Sequence, residues 1–307
     1  MKILVTGCNG FVGRHAVAAF RAAGHDACGG DVAGTPPPDL PYLPFDATSP
    51  DSIRAALETF APDAILHLGG IAFVPVAWEH PQMVFEVNTV GPLNVLDAVR
   101  TLRPATRVLL VTSAEVYGSA PAAGAAFTED SPLAPDNIYG VTKAAADTAA
   151  RFYAARHNLP LLVARPANHI GPGQSPRFVS SAFARQLADI AAGRAPAEMR
   201  VGNLDSRRNF TDVRDVVRAY LLLLERGTPG AAYNIASPSS VSIRDLLDAL
   251  CDIAGVRPSL AVDPALWRPT DAHPAYSTDR LRADTGWTPQ IPLRQTLTDL
   301  YRSIAEA

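Results

Sequence analysis

Lysine is nearly missing from this chain of 307 residues: Lys2 and Lys143 are the only two, which leaves 27 − 2 = 25 arginines among the basic side chains. Cysteine is almost as scarce. Cys8, Cys28 and Cys251 are odd in number and have no paired metal-ligand spacing, so neither a disulfide framework nor a metal site is expected, and reduced thiols fit a cytoplasmic protein. The formal net charge of −3 shows no basic excess, which argues against nucleic acid or an acidic membrane surface as a partner. No apolar run approaches the length of a membrane span. No internal repeat is visible, and the first strand starts at Lys2, so no secretory leader is expected.

What is present is a hydrophobic content of 48%, enough in a chain of this length for a large core in one α/β unit or two smaller lobes. Residues 2–6 form a short apolar run followed at once by Gly7, Gly10 and Gly13 and then by an amphipathic stretch to Ala23. Strand, glycine turn and helix follow in that order. Glycines there let the backbone approach a pyrophosphate, and the helix start offers unpaired N–H groups and partial positive charge. The plainer reading is a tight turn without a ligand; its place at the head of an alternating α/β chain favours a dinucleotide. Cys8 inside the turn reads as a small filler.

A second strand over residues 26–30 ends at Asp31, where an acid is expected to accept hydrogen bonds from the adenosine ribose and to repel a 2′-phosphate. NAD(H) is therefore preferred, with NADP(H) possible. Asp46 follows a third strand and is placed to touch the adenine side, or else to serve the start of the helix after Ser49. Residues 64–70 read as a buried strand ending in Gly69 and Gly70, with His67 packed inside it. One long helix is expected over 79–102, and 107–113 is a parallel-type strand whose carboxyl end carries Ser113 and Glu115, where open parallel sheets bind ligands.

The second lysine has a tyrosine four positions before it. In YGVTK (139–143), helical spacing puts Tyr139 and Lys143 on one face. A phenol has a pKa of about 10, and a nearby positive charge can lower it by roughly 1–3 units, so Lys143 is expected to tune Tyr139 as an acid/base group. Ser113 would orient a substrate hydroxyl or carbonyl; Glu115 is a second proton-transfer group or a solvated loop acid.

Together, TGCNGFVG (6–13), VTSAEVYG (111–118) and YGVTK resemble the extended short-chain dehydrogenase/reductase family of nucleotide-sugar enzymes. The resemblance spans nearly the whole chain. It is densest in RPANHIGPGQSPRFV (165–179), VGNLDSRRNFTDVRDVVRAY (201–220) and DTGWTPQIPL (284–293), and lies nearest the branch that reduces GDP-4-keto-6-deoxy-D-mannose. It implies Ser113, Tyr139 and Lys143 as the catalytic set, with Glu115 where dehydratases keep a glutamate. Cofactor contacts are implied for Gly7, Asn9, Gly10, Phe11, Val12 and Gly13, for Asp31, Asp46 and Ala47, for Leu68, Gly69, Gly70 and Asn88, and for Pro166. Substrate contacts are implied for Asn168, His169, Gln174, Arg208 and Arg268, the arginines gripping a diphosphate with two-pronged guanidinium hydrogen bonds, and Asp271 and Tyr276, near Arg268 in the sequence, are placed to meet the sugar or nucleotide. Ala167 departs from the branch, which carries an aromatic residue there, and leaves extra room beside nicotinamide or sugar.

The fold implied is α/β: a Rossmann-type doubly wound parallel sheet with a smaller C-terminal substrate-binding lobe. The cofactor domain is expected to span 1–165 with 205–240 returning to it, and the substrate lobe 166–204 and 241–307. Trp267 and Trp287 read as packing residues. The reaction expected is reduction at C4 of a nucleotide-diphosphate sugar by a homodimer, giving GDP-D-rhamnose; a 4-epimerase or 4,6-dehydratase is the alternative. A non-catalytic dinucleotide sensor on the same fold would not need the serine, tyrosine and lysine set.

Overall fold

The computed structural model describes residues 1–32, 40–118, 125–267 and 275–306. Its spine is a seven-stranded, wholly parallel sheet. The strands are β1 (Lys2–Thr6), β2 (Asp26–Asp31), β3 (Tyr42–Pro44), β4 (Ala64–His67), β5 (Arg107–Val111), β6 (Leu161–Pro166) and β10 (Ala232–Ile235), in the spatial order β10-β6-β5-β4-β1-β2-β3. Their near-continuous apolar runs reflect burial on both faces. Against one face pack α1 (Phe11–Ala22) and α8 (Val213–Arg226); against the other, α2 (Pro50–Phe60), α5 (Gly91–Leu102) and α6 (Ile138–His157). The order reverses direction beside β1, which opens the ligand crevice at the strands' carboxyl ends.

The remaining chain builds a second layer beside that edge. β7 (Asn168–Ile170), β9 (Arg207–Asp212) and β11 (Ser240–Ser242) form one small sheet, and β8 (Glu198–Val201) pairs with β12 (Ser259–Val262) in another. Behind them α7 (Val179–Ala191), α9 (Ile243–Ala254) and α11 (Leu293–Ala305) share an apolar core. α9 starts with a complete capping box, Ser242 and Asp245 each bonding the other's backbone N–H.

Several elements differ from expectation. The segment over 79–102 is not one helix. It runs as α3 (Val74–Glu79), α4 (Pro81–Phe85), a π-helical turn at Glu86–Val90, and then α5. Pro81 and Pro92 lack the N–H that a continuous ladder would need. α7 has no forecast in the sequence reading, and neither do the two small sheets. Trp287 is buried, its indole N–H donating to the Asp215 carbonyl (2.9 Å), whereas Trp267 is 50% exposed. No described helix is long and apolar enough to cross a membrane.

Candidate active site

The carboxyl ends of the central strands and the inner wall of the small sheets enclose a cleft of about 1140 Å³. At its floor, Gly7 adopts φ +71°, and a Cβ there would stand 3.0 Å from the Gly69 backbone nitrogen. The two glycine segments touch, which only glycine permits. At Gly13 a Cβ would lie 2.3 Å from the Gly7 carbonyl oxygen, so this glycine serves the close packing of helix on turn. No side chain caps α1. Phe11, Val12 and Gly13 of its first turn line the cleft, and the unpaired N–H groups of a helix start make a cradle suited to a pyrophosphate.

Asp31 lies at the end of β2 on the cleft wall, its carboxylate accepting from the backbone N–H of Asn9 (3.0 Å) and Val32 (2.8 Å). Asp46 lines the cleft beside Ala47 and closes its own turn by accepting from the Thr48 N–H (2.8 Å) and hydroxyl (2.7 Å). Cys8 is fully buried, its Sγ filling the space left by Gly29, and burial with the Asp31 charge pushes its thiol up to about 11. It is a filler. These donors and acceptors, with glycine backbone between them, fit a dinucleotide.

Asn88 is fully buried, and its amide bonds the Ile71 N–H (2.8 Å), the Ile71 carbonyl (3.0 Å) and the Thr142 hydroxyl (3.1 Å). The π turn directs it inward, where it pins the strand-end loop over 68–71 against α6. That pin has a use. Gly70 sits so close that a Cβ would lie 3.3 Å from the Lys143 ammonium.

α6 begins at Asn137, whose side chain caps the Gly140 N–H (2.8 Å) and also donates to the Glu115 carboxylate (2.8 Å). This one residue fixes both the helix start and the glutamate. Tyr139, in the first turn, is buried, and Ser113 is close enough to act on its phenol. Lys143 is also buried and donates to the Val111 carbonyl (3.1 Å) at the end of β5. Three residues from two elements thus meet at one spot. Burial drives the Tyr139 phenol far above its ordinary value, the Glu115 charge adds to this, and Ser113 opposes it. Burial outweighs any lowering of the phenol, and burial itself lowers Lys143 to about 8. His67 is packed within the sheet as expected, joined to the Thr6 hydroxyl (2.8 Å) and lowered to about 3 by burial and Lys143.

Opposite stand Asn168, His169 and Gln174. His169 stacks on Phe11 at 6.2 Å, and Gln174 is held by the hydroxyls of Ser180 (2.8 Å) and Ser181 (3.2 Å). Arg208 lines the same wall, as does Tyr276, a partly buried phenol raised by desolvation and by Glu115. Arg268 and Asp271 lie outside the described residues. Two cleft features had no forecast: the Phe73–Phe178 edge contact (6.2 Å) with Arg177 over Phe73, and Tyr220. Helical periodicity puts Tyr220 on an apolar face and says nothing more. Among the described residues no cluster of histidine, cysteine, aspartate or glutamate could hold a metal.

Comparison with known proteins follows the same lines. The model of the NAD dependent epimerase/dehydratase family matches residues 3–236. The chain is 38% identical over 298 residues to GDP-6-deoxy-D-mannose reductase of Pseudomonas aeruginosa, covering 96% of this chain and 94% of that one. The solved structure of RMD from P. aeruginosa complexed with NADPH superposes with a TM-score of 0.88 at 35% identity, over 99% of each chain. UDP-glucose 4-epimerase of Thermus thermophilus, in complex with NAD, gives 0.86 at 26% identity, again over 99% of each. With its parallel sheet, glycine cradle and buried serine, tyrosine and lysine, this chain belongs to the NAD dependent epimerase/dehydratase family.

Proposed function

We propose that the protein reduces the 4-keto group of GDP-4-keto-6-deoxy-D-mannose with NAD(P)H, forming GDP-D-rhamnose. The observation that carries this reading is the state of Tyr139: buried, beside Ser113 and held neutral well above neutral pH. A neutral phenol is a proton donor, which reduction requires. When bound, the cofactor supplies the hydride. As charge develops on the C4 oxygen, Ser113 orients it by a hydrogen bond and Tyr139 gives it a proton, while Lys143 keeps a positive charge close behind. Arg208 supports the diphosphate. The names of the relatives supply the GDP-sugar part of the reading.

A second reading, 4-epimerase or 4,6-dehydratase, is favoured by Glu115, which Asn137 holds beside Tyr139. The cofactor's fate separates the two. Given GDP-4-keto-6-deoxy-D-mannose and NADH, a reductase oxidises one NADH per product; no net oxidation, with conversion of an unoxidised nucleotide hexose on NAD alone, would select the alternative.

Asp31 favours NADH, because its carboxylate would meet a 2′-phosphate at close range. We expect kcat/KM for NADH to exceed that for NADPH by about tenfold, and Asp31→Ala to narrow the gap mainly by improving NADPH. A preference for NADPH in the parent enzyme would remove this role from Asp31 and leave the reduction untouched.

The protein is read as a cytoplasmic homodimer pairing through α6. Ala144, Ala146, Ala150 and Ala154 are buried in their own chain, so the contact would rest instead on outward residues such as Phe152, 75% exposed. Light scattering at micromolar concentration should give twice the chain mass, and Phe152→Glu should halve it. A monomeric parent rejects the pairing.

A further inference from the structure

α8 carries an apolar stripe, Val213, Val216, Val217, Tyr220, Leu223 and Leu224, against the central sheet. Tyr220 is the one member with a polar atom. It is fully buried, and its hydroxyl has no hydrogen-bonding partner among the described residues. The other fully buried tyrosines behave differently. Tyr117 donates to Asn234 (2.7 Å) and accepts from Arg165 (2.9 Å), and the Tyr233 hydroxyl pairs with Asp284 (2.5 Å) and the Thr228 N–H (2.7 Å). A buried phenol ordinarily finds such a partner, since an unmet hydroxyl in the interior is destabilising.

The position of Tyr220 says where a partner would come from. It lies on the wall of the cleft. α8 packs beneath β4, β5 and β6, whereas Asp31 and the adenine side belong to β2, two strands beyond β4. At about 4.8 Å per strand, Tyr220 is near the Tyr139 end and remote from the Asp31 end. Tyr139 is close enough to couple electrostatically to the Tyr220 phenol, which burial has already raised. Val111, Leu68 and Pro166, its neighbours along those strands, offer the cleft side chains without hydrogen-bonding groups.

We infer that the Tyr220 hydroxyl is a hydrogen-bonding contact for the nicotinamide end of the bound dinucleotide. This rests on the cofactor reading above and adds to it a residue on the face of the sheet opposite α6. The phenol is held in place by apolar packing alone, so its hydroxyl is committed to the ligand and contributes nothing to the fold.

Tyr220→Phe removes that single oxygen. We expect the dissociation constant for NADH, followed by fluorescence of the reduced ring, to rise about three- to tenfold, the range of one ordinary hydrogen bond. ADP-ribose, which lacks nicotinamide, should bind by calorimetry as it does to the parent, and the melting temperature without ligand should hold or rise. Unchanged NADH affinity, an equal loss for NADH and ADP-ribose, or a lower ligand-free melting temperature would each overturn the assignment. Failure of the parent enzyme to bind any nicotinamide dinucleotide would instead remove the cofactor reading, a result visible before the variant is made.

Discussion

Tyr139→Phe will lower turnover by about 10²- to 10⁴-fold, with little change in cofactor affinity. The ring remains to fill its buried place, and the dinucleotide cradle of Gly7, Gly10 and the start of α1 is untouched. What goes is the oxygen beside Ser113 and the proton it carries. Because burial keeps the phenol neutral, the loss falls on proton donation to C4. Single-turnover oxidation of NADH by the 4-keto sugar isolates that step; a rate within a few-fold of the parent would remove Tyr139 from the chemistry.

Arg165→Met will unfold the protein more readily, by about 3–5 kcal/mol. Arg165, 1% exposed on β6, donates to both oxygens of the fully buried Asp147 (2.7 and 2.9 Å), to the Tyr117 hydroxyl (2.9 Å) and to the Glu129 carbonyl (2.8 Å). Methionine leaves the Asp147 carboxylate in the interior with Arg151, at 3.8 Å and 45% exposed, as its remaining cationic partner. At roughly 2.1 cal/mol/K per residue the melting temperature should fall by about 5–8 °C. The double variant Arg165→Met/Asp147→Leu should regain much of this, since removing both charges ends the desolvation problem. A single variant as stable as the parent would show the pair to be dispensable.

The architecture was legible where burial imposes continuous apolar runs: β1, β4, β5 and β6 stand where those runs are. So was the meeting of Ser113, Tyr139 and Lys143, because one motif lies at a strand end and the other on a helix face. Less visible was anything set by three-dimensional enclosure. Positive charge four residues away suggested a lowered phenol, yet desolvation dominates and raises it. Asn88 fits a helical pattern that can turn it either way, and the π turn decides. Arg165 reads as one arginine among 25; its partners lie 18, 36 and 48 positions distant, beyond any local pattern. Tyr220 shows the same limit, since an apolar stripe conceals an unpaired hydroxyl.

The order in which the chain lays down its central sheet has a consequence for assembly and for recombination. β6 is buried along its whole length, yet the strand that covers its outer side, β10, is made only after β7, β8, β9 and α8. Until residue 235 has joined, LLVARP offers an open edge of unpaired backbone, the kind of template that draws chains together. A fragment ending at β6 keeps that edge permanently. The polypeptide passes between the large sheet's layers and the small ones five times: from β6 to β7, from β9 to α8, from β10 to β11, from β12 to α10 (Asp279–Thr285), whose Leu281 joins the core of the large sheet with Trp287, and from there to α11. A substrate lobe grafted from a relative must therefore be cut at all five crossings, and a single-junction chimera would separate β10 from the strand it was shaped to cover.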